Sequence, residues 1–156
     1  HAIVLRNGFL QVLMSYIVGN NDLHMKNMSL VRPIHSDTAT GFTKIYDMVS
    51  VAPYREYDNT ELSIWLLESE LKDAVSSSSY SNYGYYTEHD FVLFAEALGL
   101  GDKVARKLIK TLATKVLKAM DKAFNSVDGF DELKQIIRTR IEQRVDTLSR
   151  PWLQEP

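Results

Sequence analysis

Gly19-Asn20-Asn21-Asp22-Leu23-His24-Met25-Lys26-Asn27 packs a glycine, three asparagines, an aspartate, a histidine and a lysine between two apolar segments. On its N-terminal side, Ile3 to Val18 reads as a helix. Asn7, Gln11 and Ser15 recur every four residues as one polar stripe, and almost every other position is apolar, so most of this helix should be buried. Gly19-Asn20-Asn21-Asp22 stops it with turn-forming residues. On the C-terminal side, Met28 to Val31 and Phe42 to Tyr46 suit two short strands. The polar run Ser36-Asp37-Thr38-Ala39-Thr40-Gly41 joins them, giving an expected β-hairpin with Asp47 directly at its end.

Outward from this centre the chain is mostly helical. Pro53 marks a turn, and Leu62, Ile64 and Leu66 alternate with Ser63 and Trp65 as a weak strand signal. Ser76 to Tyr86, rich in Ser, Tyr, Asn and Gly, reads as a loop. Thr87-Glu88-His89-Asp90 approximates a capping box for a helix with Phe91, Phe94, Ala95 and Leu98 as its apolar face and Gly99 as its stop. A helix from about Lys103 to Phe124 carries the stripe Val104, Leu108, Leu112, Val116 and Met120. Another, from about Phe130 to Ser149, carries Leu133, Ile137, Ile141, Val145 and Leu148. The expected fold class is mainly α with a small β-hairpin (α+β), and residues 1–156 read as a single domain.

Composition narrows the function. The 156 residues are 45% hydrophobic and 24% charged, enough for one ordinary globular core. A net charge of −2 gives no global attraction to nucleic acid or anionic membrane. The absence of cysteine excludes disulfides, thiolate nucleophiles and cysteine-type zinc sites. Phe9 to Val18, the most apolar stretch, is too short to span a bilayer and lacks the flanks of a signal peptide. The reading is a cytoplasmic protein with no membrane partner and no direct nucleic-acid binding. The chain opens inside a helix with no preceding cap, which suggests a piece of something longer. Lys103, Arg106, Lys107, Lys110, Lys115, Lys118 and Lys122 share one half of their helix and read as a solvated face.

The spacing inside the central stretch suits phosphoryl transfer. That chemistry needs a carboxylate to accept the proton of an attacking hydroxyl, and oxygen ligands to hold magnesium on the β- and γ-phosphates. The protein-kinase loop sets a catalytic Asp five residues before a metal-binding Asn, as Asp22 and Asn27 are set here. Kinases supply a second metal ligand from the end of a β-hairpin, where Asp47 lies. Lys26 has either a role in stabilising the transferred charge or none beyond surface solvation. His24 is either a catalytic group or a loop-shaping one. Asn20 is a candidate for orienting the loop or the substrate hydroxyl.

Three segments resemble the HipA-like kinase family. Gly19 to Asn27 is similar to its N-x-D-x-H-x-K-N catalytic loop. Tyr46-Asp47-Met48-Val49-Ser50-Val51-Ala52-Pro53-Tyr54 looks like its metal-binding segment. Thr87-Glu88-His89-Asp90-Phe91-Val92-Leu93-Phe94-Ala95-Glu96-Ala97-Leu98-Gly99-Leu100 is similar to its T-x-x-D-F-x-x-F-A-x-x-L-G-L helix. The resemblance covers roughly residues 1 to 100. It implies a protein-kinase-like helical C-lobe, ATP and Mg²⁺ as cofactors, and a protein Ser/Thr hydroxyl as acceptor, on a translation component such as an aminoacyl-tRNA synthetase. It also implies a toxin role restrained by a HipB-like DNA-binding antitoxin. Asp22, Lys26 and His24 become the catalytic candidates, and Asn27 and Asp47 the metal and cofactor ligands. The chain departs from the family in lacking a phosphate-covering glycine loop and an ATP-pairing lysine. The expectation is therefore that its own N-terminal lobe provides them as a partner, and that the isolated chain is inactive. Two other readings remain open: a small-molecule kinase lobe of the aminoglycoside type, and a non-catalytic binding module on a kinase-derived fold.

Overall fold

The computed structural model describes residues 2–54, 56–57, 62–73 and 76–150; the expected 1–156 bounds run outside them at both ends. Helix α1 spans Ala2–Val18, followed by a single 3-10 turn at Met25–Asn27. Strands β1 (Leu30–Val31) and β2 (Gly41–Phe42) form an antiparallel pair with Leu30 opposite Phe42 and Val31 opposite Gly41. Then come α2 (Glu68–Asp73), α3 (Ser78–Tyr83), α4 (Glu88–Ala97), α5 (Asp102–Asn125) and α6 (Asp131–Thr147). The chain is thus mainly helical with one small hairpin. No described helix is long and apolar enough to cross a membrane.

α1 is the hub because its sequence is apolar on almost every side. Phe9, Val12, Leu13, Tyr16 and Ile17 are all buried. They pack against α4, α5 and α6, while β2 lies along the same helix. The hairpin seats closely because Gly8 has no side chain. A Cβ there would stand 3.3 Å from the Phe42 ring. The two-residue strands are shorter than the expected Met28–Val31 and Phe42–Tyr46. The ladder is extended by bonds from the Thr43 N–H to the Ser29 carbonyl and from the Thr40 N–H to the Val31 carbonyl, both 2.9 Å.

An aromatic cluster closes the core around Tyr16. Its ring lies 5.1 Å from Phe91 and 6.2 Å from Tyr86, and the Arg144 guanidinium covers it at 4.4 Å. The Tyr16 hydroxyl donates to the Tyr86 carbonyl at 2.6 Å and meets Thr147 Oγ1 at 2.9 Å. At the start of α4, Asp90 Oδ2 accepts from the Thr87 N–H at 2.6 Å, the reach-back expected from the capping sequence.

Four expectations are corrected here. Leu62 to Leu66 is not a strand: the segment turns into α2, and the N–H groups of Leu66 and Leu67 just before it donate to Glu70 Oε2 at 3.0 and 2.8 Å. Ser76 to Tyr86 is not wholly a loop, because Ser77 Oγ accepts from the Tyr80 N–H at 3.1 Å and starts α3, which Gly84 ends with φ of 71°. On α5 the buried row is Ala105, Ile109, Ala113, Val116 and Met120, while Val104 is half exposed. A strict every-fourth-residue row drifts by about 40° per step on a helix of 100° per residue, so the expected row leaves the core at Val104, packs against its edge at Leu108 and Leu112, and enters it at Val116 and Met120. On α6 the same drift leaves Leu133 exposed and buries Arg144 beside Ile141.

Burial raises the pKa of both core tyrosines, Tyr16 and Tyr86, above the ordinary tyrosine value; at Tyr86 the charge of Glu70 adds to the effect. A raised folded-state pKa means that stability is complete below the unfolded value of about 10 and is lost as pH rises past it. The urea midpoint should therefore hold level to about pH 9.5 and then fall. In Tyr86→Phe, which removes one titrating group, the fall should be shallower; an equal slope in the variant would contradict the assignment.

Candidate active site

The loop after α1 is built from below. The polar stripe on α1 does not face solvent: Gln11 and Ser15 are buried under the loop. Gln11 Nε2 donates to the Asn27 carbonyl at 3.1 Å, fixing the far end of the loop. Ser15 Oγ lies 3.4 Å from Met48 Sδ, in the segment that carries Asp47. Asn7, the third member, is half-buried and lines a cleft with Leu10, Met14 and residues 42–45.

Asn27 and Asp47 meet directly. Asn27 Nδ2 donates to Asp47 Oδ2 at 2.7 Å, across 20 residues of sequence and the whole hairpin. The Asn27 amide oxygen accepts from the His24 N–H at 3.0 Å, and the Asn27 N–H donates to the His24 carbonyl at 2.9 Å. Asn27 is buried, whereas the Asp47 side chain is exposed. Asp47 has φ of 55°, a left-handed conformation that aspartate tolerates better than most residues and that recurs where backbone is held for function.

Asp22 is tied to the same group through Asn20. Asn20, only 1% exposed, accepts from the Asp22 N–H at 3.2 Å and donates to the Asp47 carbonyl at 3.4 Å. Sequence reasoning named Asn20 as a loop-orienting candidate, and it bridges the two segments. The Asp22 carboxylate is exposed. Lys26 is exposed as well, and its carbonyl accepts from the Tyr46 hydroxyl at 2.7 Å, a hydroxyl also 2.7 Å from Ser29 Oγ. Tyr46 thus clamps the loop to the hairpin, a role that no spacing rule signals. The His24 backbone shapes the turn, while its Nδ1 is buried without a hydrogen-bond partner among the described residues.

Gly19 sets the entry to the loop. Its φ is 71°, its carbonyl accepts from the Val51 N–H at 3.0 Å, and a Cβ would stand 3.0 Å from Arg140 Cγ. Gly84 has the same φ with open space around it. Gly84→Ala should therefore cost only the left-handed penalty, about 1–2 kcal/mol. Gly19→Ala should cost more, because Arg140 and the loop must also shift. Chemical denaturation of both variants checks this; equal losses would show that the Arg140 contact carries no cost.

A divalent ion fits the donor set. The Asp47 carboxylate is an exposed hard oxygen ligand; the Asn27 amide now presents Nδ2 to Asp47 and its oxygen to the His24 N–H, so it supplies a second oxygen by turning over. Among the described residues no group of three or more His, Cys, Asp or Glu side chains converges to make an all-protein cage. Two protein oxygens suit magnesium, which keeps waters and takes phosphate oxygens as its other ligands.

Fold and site together define a helical domain in which an Asp–Asn loop meets an aspartate at the end of a hairpin. The chain belongs to the HipA-like C-terminal domain family, whose model matches residues 3–120. It is similar to a Haemophilus influenzae protein named "Putative kinase", at 35% identity over 124 residues, covering 78% of this chain and 35% of that protein. The chain therefore spans little more than a third of that relative, and the family it joins is kinase-related.

Proposed function

We propose that this chain is the catalytic half of an ATP- and Mg²⁺-dependent kinase acting on a Ser/Thr hydroxyl of a protein. The observation that carries the reading is the 2.7 Å contact between Asn27 and Asp47, with Asn20 joining the Asp22 turn to the same group. When bound, magnesium would neutralise charge developing on the transferred phosphoryl group. Asp47 would hold it through a carboxylate oxygen, and Asn27 through its amide oxygen once the amide turns from its contacts with Asp47 and the His24 N–H. Asp22, exposed at the turn, would accept the proton of the attacking hydroxyl. Lys26 would stabilise charge from the loop's outer side, and His24 would hold the turn that presents Asn27.

The site is open: Asp22 and Asp47 both face solvent. A cover is needed to exclude water and grip the nucleotide, and an N-terminal lobe of the same protein is the proposed source. By family, a translation component such as an aminoacyl-tRNA synthetase is the proposed target, a HipB-like DNA-binding antitoxin the proposed restraint, and the cytoplasm the proposed location. Incubating the intact protein with labelled ATP and a cell lysate tests the reaction. Label in protein, removed by Asp22→Asn, supports the reading; label confined to small metabolites points to a small-molecule kinase instead.

A further inference from the structure

A second cleft lies beside the loop. It is lined by Leu62, Ser63, Ile64, Trp65, Glu70, Ser76, Tyr80 and Tyr86, with a volume of about 290 Å³. Ser63 Oγ donates to the carbonyl of Asn21, the residue immediately before Asp22, and Asn21 Nδ2 donates to the Tyr57 carbonyl at 3.3 Å. One wall of the cleft is therefore fastened to the turn that presents the proposed base. Ligand pockets run from about 300 to 1,000 Å³, so this cleft suits one side chain and is too small for a nucleotide.

Its floor holds a buried carboxylate. Glu70 is 3% exposed and accepts three hydrogen bonds, from the N–H groups of Leu66 and Leu67 and from the Tyr86 hydroxyl at 2.9 Å. All three donors are neutral, and none of the described residues lining the cleft is cationic. Among the described residues lining the cleft the charge is met by dipoles alone, and a desolvated anion favours a cation placed next to it. The walls suit the rest of such a group. Trp65 offers an exposed aromatic side chain to a guanidinium or ammonium, and Leu62 and Ile64 offer apolar surface to its methylene stem.

We propose that this cleft is a subsite for an arginine or lysine side chain flanking the acceptor hydroxyl of the protein substrate. The proposal rests on the kinase reading for its place in catalysis, but the binding of a basic side chain does not. Glu70→Gln removes the charge while keeping an oxygen for the Leu66 and Leu67 N–H groups. Trp65→Ala removes an exposed wall at little cost to the core.

Two experiments with the intact protein separate the possibilities. In the first, peptides with a single serine carry Arg, Lys, Leu, Ala or Glu at each flanking position. A basic residue at one position should raise kcat/KM about tenfold or more over alanine, and both substitutions should bring that ratio toward one. A flat profile, or a basic preference that survives both substitutions, overturns the subsite. In the second, Nα-acetyl-arginine amide is titrated while the Trp65 indole N–H is followed by NMR. A saturable shift lost in Glu70→Gln supports the site even where no peptide is phosphorylated, which would count against the kinase reading alone. No shift in the wild type overturns it.

Discussion

Asp22→Asn in the intact protein should lower the rate of phosphoryl transfer by about 10²–10⁴-fold, the range of a general base, without unfolding the chain. The carboxylate is exposed, and the contact that holds its residue in place is made by its backbone N–H, to Asn20 Oδ1 at 3.2 Å. Exchanging one carboxylate oxygen for an amide nitrogen leaves that contact alone. Surface substitutions of this kind change stability by about 0.5 kcal/mol or less. Thermal melts of wild type and variant should therefore superimpose while single-turnover rates diverge. Wild-type-like transfer by the variant would remove Asp22 from the chemistry.

Asp47→Asn should abolish magnesium-dependent transfer by a different route. Asparagine adopts the left-handed conformation at least as readily as aspartate, so the φ of 55° is kept. Its amide oxygen can still accept from Asn27 Nδ2, as Asp47 Oδ2 now does. What disappears is the negative charge that would face the ion. Metal stabilisation of the transition state is worth several kcal/mol, and each ~1.4 kcal/mol is tenfold in rate. A loss of a hundredfold or more is expected at physiological magnesium, partly restored as magnesium is raised. That partial rescue separates it from Asp22→Asn, where added metal should recover nothing. A magnesium titration of transfer rate in both variants reads the difference directly.

The centre of this molecule is legible in its sequence, and its surroundings are less so. The five-residue step from Asp22 to Asn27, followed by two apolar runs and Asp47, is enough to anticipate the hairpin that returns Asp47 to Asn27. α1 and α4 are legible because their periodicity and terminators are local: the reach-back of Asp90 to Thr87 is written within four residues. What periodicity does not give is what a stripe will meet. Gln11 and Ser15 read as an ordinary polar face, yet they are buried against the loop they support. Only the path of the chain after Gly19, fixed by tertiary packing, decides that.

The missed helices have the same cause. Nothing in the alternation of Leu62, Ile64 and Leu66 shows that Glu70 will fold back to cap the turn beneath them. α3 hides in a polar composition, although Ser77 and Gly84 are sound terminators in hindsight. On α5, attention to large side chains passed over Ala105 and Ala113, and these small residues are buried in the row that packs against the core. The tyrosines divide: Tyr86 joins the core, whereas Tyr83 and Tyr85 stack on each other at 5.6 Å outside it.

The central claim is that Asn27 and Asp47 share one divalent ion beside Asp22. Manganese, a paramagnetic stand-in for magnesium, tests it in the nucleotide-bound intact protein by NMR. The Asn27 side-chain amide and the Asp47 backbone amide should broaden beyond detection. That pattern should persist in Asp22→Asn and vanish in Asp47→Asn. Sharp signals from both residues at saturating manganese, or broadening centred on another part of the chain, would contradict the account.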